Sequence, residues 1–233
     1  MNRIAVVTGA NRGIGLEVVR QLAAAGDIVV LGSRDVAAGE RAAASLFGGT
    51  GVGRVLARRL DVTDQASLDA VADELASSHG RLDVLVNNAA IHYDTWQQAA
   101  GADLGVVAEA LDTNLVGAWR TVNTLLALLR ASGHGRIVNV SSEAGSLASM
   151  GGGTPAYRAS KAALNALTRM LAAELRSDGI LVNSVCPGWV ATDMGGRGGR
   201  PVRDGAASVV WAIDLPDTGP SGGFYRDGAP LPF

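Results

Sequence analysis

The stretch Thr8-Gly9-Ala10-Asn11-Arg12-Gly13-Ile14-Gly15 decides how this chain folds. It follows a short apolar run, 4–8, that is typical of a buried strand, and it precedes apolar residues at helical spacing that end near Gly26. Glycines at a strand-to-helix turn let the backbone turn tightly and approach a pyrophosphate at the helix N-terminus. The position of these glycines therefore predicts a dinucleotide-binding turn rather than an ordinary glycine-rich one.

Apolar runs and helical patterns alternate along the rest of the chain. Further strands are predicted at 28–31, 52–60, 82–86, 136–140, 180–185 and 222–226, and further helices at 36–46, 64–78, 104–131, 155–176 and 201–213. This alternation predicts an α/β fold in which a doubly wound, mostly parallel sheet of seven strands carries helices on both faces. Because no repeat or linker divides the chain, residues 1–233 are expected to form a single domain.

Composition excludes several classes of function. The 233 residues are 48% hydrophobic and carry a formal net charge of -2 with mixed signs, so neither nucleic acid nor an anionic membrane is an expected partner. No apolar run is long enough to span a bilayer, and the first seven residues lack the layout of a signal peptide. Cys186 is the single cysteine, which favours a reducing, cytoplasmic location. Gly195-Gly196-Arg197-Gly198-Gly199-Arg200 resembles an RNA-binding segment, but one short copy is more typical of a loop.

The end of the second predicted strand bears on the choice of dinucleotide. Ser33 and Arg34 stand at this tip, where the adenosine ribose is sensed, and Arg12 lies in the glycine loop. Two guanidinium groups suit a 2′-phosphate. Asp35 has two interpretations, an acid that would favour a free 2′-hydroxyl or the N-cap of the helix over 36–46, and we favour the cap. The pattern predicts NADP(H) in preference to NAD(H).

Tyr157 and Lys161 are four residues apart in a predicted helix, so their side chains share a face. The ammonium is expected to lower the phenol pKa from its usual value near ~10, giving a proton donor near neutral pH. Asn88 follows the fourth predicted strand, at the edge where ligands bind open parallel sheets. Asn114 falls inside the helix predicted over 104–131, where an exposed polar residue is the alternative interpretation.

Together these motifs resemble those of the short-chain dehydrogenase/reductase family in order and spacing over essentially the whole chain. The loop over 8–15 is similar to its cofactor loop, Asp61-Val62 to its adenine contact, and Asn87-Asn88-Ala89-Ala90 to its Asn-Asn-Ala-Gly motif. The resemblance implies a Rossmann fold. The positions that match the family's catalytic tetrad are Asn114, Ser142, Tyr157 and Lys161. The expected cofactor-binding residues are Thr8, Gly9, Asn11, Arg12, Gly13, Ile14, Gly15, Arg34, Asp61, Val62, Asn88, Ala89, Ala90, Tyr157, Lys161, Pro187, Gly188, Val190, Thr192 and Met194.

The loop over 9–15 and the final segment Ser221-Gly222-Gly223-Phe224-Tyr225-Arg226-Asp227-Gly228 look most like the carbonyl-reductase-like branch, whose members usually use NADPH. Ala90 replaces the family's glycine, a mild change. Monomeric members carry a long insertion between the serine and the tyrosine, and this chain lacks it. The resemblance then implies a homodimer or homotetramer that pairs through the helices carrying Asn114 and Tyr157. Residues 187–213 are expected to form the substrate loop and helix, but they do not identify the substrate.

The resemblance also implies a mechanism, the reduction of a small-molecule ketone or aldehyde. Tyr157 would give the proton, Ser142 would bind the carbonyl oxygen, Lys161 would hold the nicotinamide ribose, and Asn114 would anchor a water that returns protons. No metal is expected. The alternative is a non-catalytic NADP-binding sensor or scaffold, which would tolerate loss of the tetrad; all four positions are filled. The irregular stretch 91–103 is expected either to line the substrate pocket or to cover the sheet.

Overall fold

The computed structural model describes residues 2–46 and 54–233. Within them, one sheet is formed by the strands β1 (Ile4–Val7), β2 (Ile28–Ser33), β3 (Arg54–Arg59), β4 (Val84–Asn87), β5 (Arg136–Val140), β6 (Leu181–Val185), β7 (Phe224–Arg226) and β8 (Ala229–Pro230). Their order across the sheet is β3-β2-β1-β4-β5-β6-β7-β8. All neighbours pair in parallel except β7 and β8. The predicted doubly wound α/β architecture is confirmed.

Helices cover both faces of this sheet. The helices are α1 (Gly13–Ala24), α2 (Val36–Ser45), α3 (Gln65–Ser78), α4 (Leu104–Leu111), α5 (Ala118–Ser132), α6 (Pro155–Glu174) and α7 (Val202–Ile213). Buried residues of α1, α2 and α7 share one hydrophobic core cluster, and those of α3, α5 and α6 share the other. The central strands divide their side chains between the two clusters. Ile4 and Val6 of β1 join the second, while Ala5 and Val7 join the first, which explains the continuous apolar runs.

The predicted count of seven strands is wrong by one, because β8 adds an antiparallel neighbour to β7. The two strands are joined by Asp227 and Gly228, whose φ angles are 51° and 79°. Positive φ at both central residues suits the tight hairpin turn that Asp-Gly favours. The third strand, predicted over 52–60, begins at Arg54 in the structure, and its predicted first two residues lie outside the described residues.

The helix predicted over 104–131 is present, but a π-helical segment that was not predicted, Asp112–Gly117, lies within it between α4 and α5. A wider turn carries one extra residue and rotates the side chains that follow it. Gly117 ends the segment against Val62; a Cβ on this glycine would lie 2.6 Å from the Val62 Cγ2 atom. Asn114 lies inside the segment and is 1% exposed, so the interpretation of an exposed surface residue is wrong.

The strand order places a crevice at the carboxyl ends of β1 and β4. From this neighbouring pair the sheet continues to β2 on one side and to β5 on the other, which is the switch point where open α/β sheets bind ligands. The segments that follow β5 and β6 leave the sheet at the same edge. In the described part of the chain, no helix combines the length and apolar character needed to cross a membrane.

Candidate active site

A cleft of about 480 Å³ opens at this edge of the sheet and reaches from the glycine loop to Tyr157. The predicted residues that line it are Gly9, Asn11, Arg12, Gly13, Ile14, Gly15, Arg34, Val62, Asn88, Ala89, Ala90, Tyr157, Lys161, Pro187, Thr192 and Met194. The predicted residues that are not among its lining are Thr8, Asp61, Asn114, Ser142, Gly188 and Val190. The structure therefore gathers most of the predicted cofactor residues around one space.

Close backbone contacts explain why the loop needs glycine. Gly9 and Gly13 adopt φ angles of 60° and 56°, a region that other residues rarely enter. A Cβ on Gly9 would lie 2.8 Å from the Ala89 Cα atom, and one on Gly15 would lie 2.5 Å from the Asn88 Nδ2 atom. Helix α1 starts directly after Arg12, which gives no side-chain cap. A bare backbone at a helix N-terminus suits a phosphate group, so these residues fit a dinucleotide.

Thr8 and Asn88 hold the two sides of the crevice together. The Thr8 hydroxyl accepts hydrogen bonds from the backbone N–H groups of Asn88 and Ala89, both at 3.0 Å. The Asn88 side-chain amide donates to the carbonyl oxygens of Thr8 at 2.8 Å and Gly9 at 3.0 Å. Thr8 therefore helps to hold the two loops that form the cleft, although it is not among the residues that line the cleft.

At the predicted adenosine end, Arg34 and Arg12 are exposed at the rim of the cleft. The Asp35 carboxylate accepts from the Ala38 backbone N–H at 3.1 Å, so its prediction as a helix N-cap is confirmed. Arg12 donates to Asp193 at 2.9 Å, with both side chains more than two-thirds exposed. An ion pair in solvent contributes little stability, so Arg12 is free to exchange this partner for a phosphate.

Asp61 and Val62 follow β3 at the same edge. One Asp61 carboxylate oxygen accepts from the backbone N–H of Thr63 at 3.0 Å and from its hydroxyl at 2.7 Å. These bonds fix the turn that directs Val62 to the cleft. Beyond β6, Val190 is buried and bridges Arg200, so it supports the segment that carries Thr192.

Tyr157 and Lys161 lie on one face of α6, as the spacing predicts, but the predicted lowering of the phenol pKa is wrong. Burial raises the pKa of Tyr157 to about 12, and a hydrogen bond with Ser142 opposes that rise only in part. The Lys161 ammonium lies 5.6 Å from the centre of the tyrosine ring and donates to the Val140 carbonyl oxygen at 2.8 Å. Lys161 is 3% exposed, and burial lowers its pKa to about 8. Burial is thus the largest cause of the pKa shift in both groups.

Asn114 ties three parts of the site together. Its side-chain oxygen accepts from the Ile91 backbone N–H at 2.8 Å, and its amide donates to the Ile91 carbonyl at 3.1 Å and to the Ser160 hydroxyl at 3.0 Å. Ser160 precedes Lys161 on α6. The π-helical segment therefore holds the tyrosine helix and the loop after β4 in a fixed relation. The predicted water-anchoring role stays a prediction.

Sequence reasoning missed several residues that the structure brings to the cleft, among them Leu60, Thr113, Val140 and Asp193. Position was an available signal for three of these residues, since Leu60 and Val140 end strand segments and Thr113 precedes Asn114. A further residue, Asp94, lies at the start of α6. It belongs to the irregular stretch 91–103, which reaches the site rather than only covering the sheet: Ile91 lines the cleft.

A second cavity, of about 510 Å³, lies at the opposite edge of the sheet. Its charged lining residues are engaged with acids. Arg3 pairs with Asp27 and Asp214, and Arg136 pairs with Asp217. These ion pairs hold the first strand and the segment after α7 in place, so we interpret the residues around this cavity as structural. Across residues 2–46 and 54–233, no three acidic, histidine or cysteine side chains form a group able to hold a metal ion.

The fold and the cleft are those of a nicotinamide-dependent oxidoreductase of the Rossmann class. The family model described as short chain dehydrogenase matches residues 3–200, and the chain belongs to this family. Membership supports an oxidoreductase that acts on carbonyl compounds with a nicotinamide cofactor.

Similar proteins include members from plants and animals. Short-chain dehydrogenase/reductase 1 of Saponaria officinalis is 37% identical over 292 aligned positions, which cover 99% of this chain and 96% of the relative. Carbonyl reductase (NADPH) 1 of Sus scrofa is 35% identical over 274 positions, covering 97% and 92%. The solved NADPH-bound carbonyl reductase from chicken fatty liver superposes with a TM-score of 0.87 at 30% identity, covering 100% of this chain and 99% of that one.

The lowered Lys161 pKa predicts a pH dependence of stability. The native state releases this proton near pH 8, whereas the unfolded chain holds it to about 10.4. Between these values the unfolded state binds more protons, so the free energy of unfolding contributed by this group rises with pH. We expect wild type to gain roughly 2 kcal/mol relative to Lys161→Met between pH 7 and 9.5. Urea denaturation of both proteins at the two pH values measures it; an equal pH response in the variant would contradict the shift.

Proposed function

We propose that the protein is an NADPH-dependent reductase of small-molecule ketones or aldehydes. One observation carries this proposal: Tyr157, in a hydrogen bond with Ser142, meets the buried Lys161 at the end of the cleft onto which the glycine loop opens. A phenol, a hydroxyl and an ammonium converging beside a dinucleotide-shaped cleft suit proton transfer coupled to hydride transfer. A reduced nicotinamide, when bound, supplies the hydride.

Tyr157 is the proposed proton donor. Because burial raises its pKa to about 12, the phenol stays protonated throughout the neutral range and has a proton to give to a carbonyl oxygen. The Ser142 hydroxyl lies within hydrogen-bonding distance of the phenol, so its single proton can turn from the phenol to the carbonyl oxygen when a substrate binds. Two donors on one oxygen stabilise the negative charge that develops there during reduction.

Lys161 is proposed to support this transfer electrostatically and to hold the ribose of the cofactor. Its ammonium lies near the phenol in a site where the dielectric is low, so its positive charge favours the phenolate that remains after proton transfer. We assign Asn114 the role of holding the proton-return water. The π-helical turn around Asn114 is the observation that supports this role, because such turns are frequent at functional sites.

The proposed preference for NADPH rests on the rim of the cleft. Arg12 and Arg34 present guanidinium groups there, while the Asp35 carboxylate is engaged as a helix cap. Charge-assisted bonds from arginine to a phosphate are strong and directional. The pig relative is a carbonyl reductase named for NADPH, and the chicken carbonyl reductase was solved with NADPH bound, which supports the same preference.

The substrate side is proposed to be formed by residues 187–213 and by the stretch 91–103. Trp189 and Met194 in the first segment and Tyr93 and Trp96 in the second are exposed, and the Tyr93 ring contacts the Tyr157 ring at 5.2 Å. Apolar surface beside the proton donor suits an apolar or aromatic carbonyl compound.

We also propose a cytoplasmic location, which the single buried thiol, Cys186, supports.

We further propose that two copies pair through the helices that carry Asn114 and Tyr157. Val116 in the π-helical segment, Trp119 on α5 and Met170 on α6 are all at least 40% exposed. Large apolar side chains on neighbouring helices are typical of a protein–protein contact.

Replacing Tyr157 by Phe tests the proton donor. Tyr157→Phe keeps the ring but removes the proton, so kcat should fall by about 10²–10⁴-fold while the dissociation constant for NADPH stays near wild type. The assay is NADPH consumption with a panel of ketones, aldehydes and quinones. Tyr225→Phe, the same change on β7, is the control and should retain activity. Activity of Tyr157→Phe near wild type would exclude this role, and a wild type inert to the panel would favour a non-catalytic sensor.

Replacing Arg34 tests the cofactor preference. NADPH should bind more tightly than NADH, and Arg34→Ala should weaken NADPH binding about ten-fold while changing NADH binding little, because one charge-assisted bond to the 2′-phosphate is lost. Fluorescence titration of the free protein measures both constants. Arg41→Ala removes the same charge from an exposed position of α2 and should leave the ratio unchanged. Tighter binding of NADH by wild type would overturn the preference.

Sedimentation at several protein concentrations tests the pairing. Wild type should sediment as a dimer or tetramer, and Trp119→Glu should shift it towards monomer because a charge would be buried at the contact. Val36→Glu places the same charge at a similarly exposed apolar position on α2 and serves as the control. A concentration-independent monomer mass for wild type would refute the assembly.

A further inference from the structure

The first turn of α6 leaves two backbone donors for another part of the chain to satisfy. Thr154, at the N-cap position, has a φ angle of 44° and makes no side-chain cap bond. Pro155 has no N–H to donate, and the Arg158 N–H is bonded to the Thr154 carbonyl at 2.9 Å. The open donors are therefore the N–H groups of Ala156 and Tyr157.

Asp94 satisfies both. Its two carboxylate oxygens accept from the Ala156 N–H at 2.9 Å and from the Tyr157 N–H at 3.1 Å. Asp94 is 0% exposed and comes from the irregular stretch after β4, 62 residues before Ala156 in the chain. A carboxylate at a helix N-terminus is stabilised by the N–H groups and by the helix dipole. Asp94 is thus a cap supplied from a distant segment.

The same carboxylate is joined to the start of α4. The Gln97 side-chain amide donates to Asp94 at 3.2 Å, and its oxygen accepts from the Asp103 N–H at 2.7 Å. Asp103 is itself the cap of α4, accepting from the Gly105 N–H at 2.8 Å. One hydrogen-bonded chain therefore links the beginnings of the helix with Tyr157 and of the helix that leads to Asn114.

We infer that Asp94 is a positioning residue for Tyr157. The inference rests on the proposed function of Tyr157 as the proton donor. Tyr157 lies in the first turn of its helix, where frayed amides would let the side chain move. The bond from its own N–H to Asp94 fixes this turn, and the neighbouring Tyr93 ring packs edge-on against the Tyr157 ring at an interplanar angle of 87°. Reactive groups need placement to within about 0.5 Å.

Replacing Asp94 tests the inference, because a positioning role should lower kcat much more than it changes KM for NADPH. Asp94→Ala removes both acceptors, and kcat for carbonyl reduction should fall about 10–100-fold, the effect of a misplacement on the order of 1 Å. KM for NADPH should change less than about three-fold, because the glycine loop is untouched. Asp94→Asn keeps the shape of the side chain and one acceptor oxygen, so it should give an intermediate kcat. A kcat unchanged in both variants would overturn the inference.

A matched control separates positioning from loss of stability. Asp83 is another buried aspartate that accepts a backbone N–H, from Ile4 at 2.7 Å, but at the amino end of the strands. Asp83→Asn should lower the midpoint of urea unfolding while leaving kcat near wild type. If Asp83→Asn reduced kcat as much as Asp94→Asn at equal stability, the effect would be general destabilisation and the positioning role would be refuted.

Hydrogen exchange gives a readout that does not depend on turnover. The amides of Ala156 and Tyr157 should exchange on the order of ten-fold faster in Asp94→Asn than in wild type, because a cap bond is lost. Amides in the middle of α6 should keep their wild-type rates. Should wild type reduce no carbonyl compound, the proposed function fails while this exchange result still decides whether Asp94 holds the first turn. Unchanged exchange at both amides would refute it.

Discussion

Four hydrogen bonds join the loop after β1 to the loop after β4, and the shape of the cleft depends on them. The Thr8 hydroxyl binds two backbone amides of the loop after β4, and the Asn88 amide binds two carbonyl groups of the loop after β1. The two loops approach so closely that a Cβ on Gly9 or Gly15 would collide with the other loop. The junction of these two loops lies at the switch point of the sheet, between β1 and β4. It therefore sets the shape of the space into which the later loops and α6 project.

The regular part of the fold was predictable because its signals are local. Apolar runs, glycine turns and helix caps such as Asp35 lie within a few residues of the elements that they define. The eighth strand had a local signal too, the Asp-Gly turn at 227–228, but its two residues are too few to form an apolar pattern. The π-helical segment had none. Gly117, its last residue, packs against Val62, which is far away in the sequence.

The site was predictable in position but not in electrostatics. Helical spacing placed Tyr157 and Lys161 on one face, and the resemblance added Ser142 and Asn114. The predicted direction of the Tyr157 pKa shift was wrong. Sequence spacing shows that a lysine lies near the tyrosine, but it does not show how deeply the two side chains are buried away from water. Asp94 went unrecognised for a related reason: a cap that acts across 62 residues has no pattern near the helix it caps.

The two pKa shifts, which oppose the simple picture of an activated phenolate, suit the proposed reduction. A phenol whose pKa is raised to about 12 keeps its proton until a carbonyl oxygen gains negative charge and becomes the stronger base. A lysine whose pKa is lowered to about 8 is still roughly nine-tenths charged at pH 7. Burial raises the cost of that charge, and it also lowers the dielectric through which the charge acts on the phenolate. In the proposed mechanism, the same desolvation that destabilises the charged form of Lys161 in the resting protein therefore increases its effect when the proton leaves Tyr157.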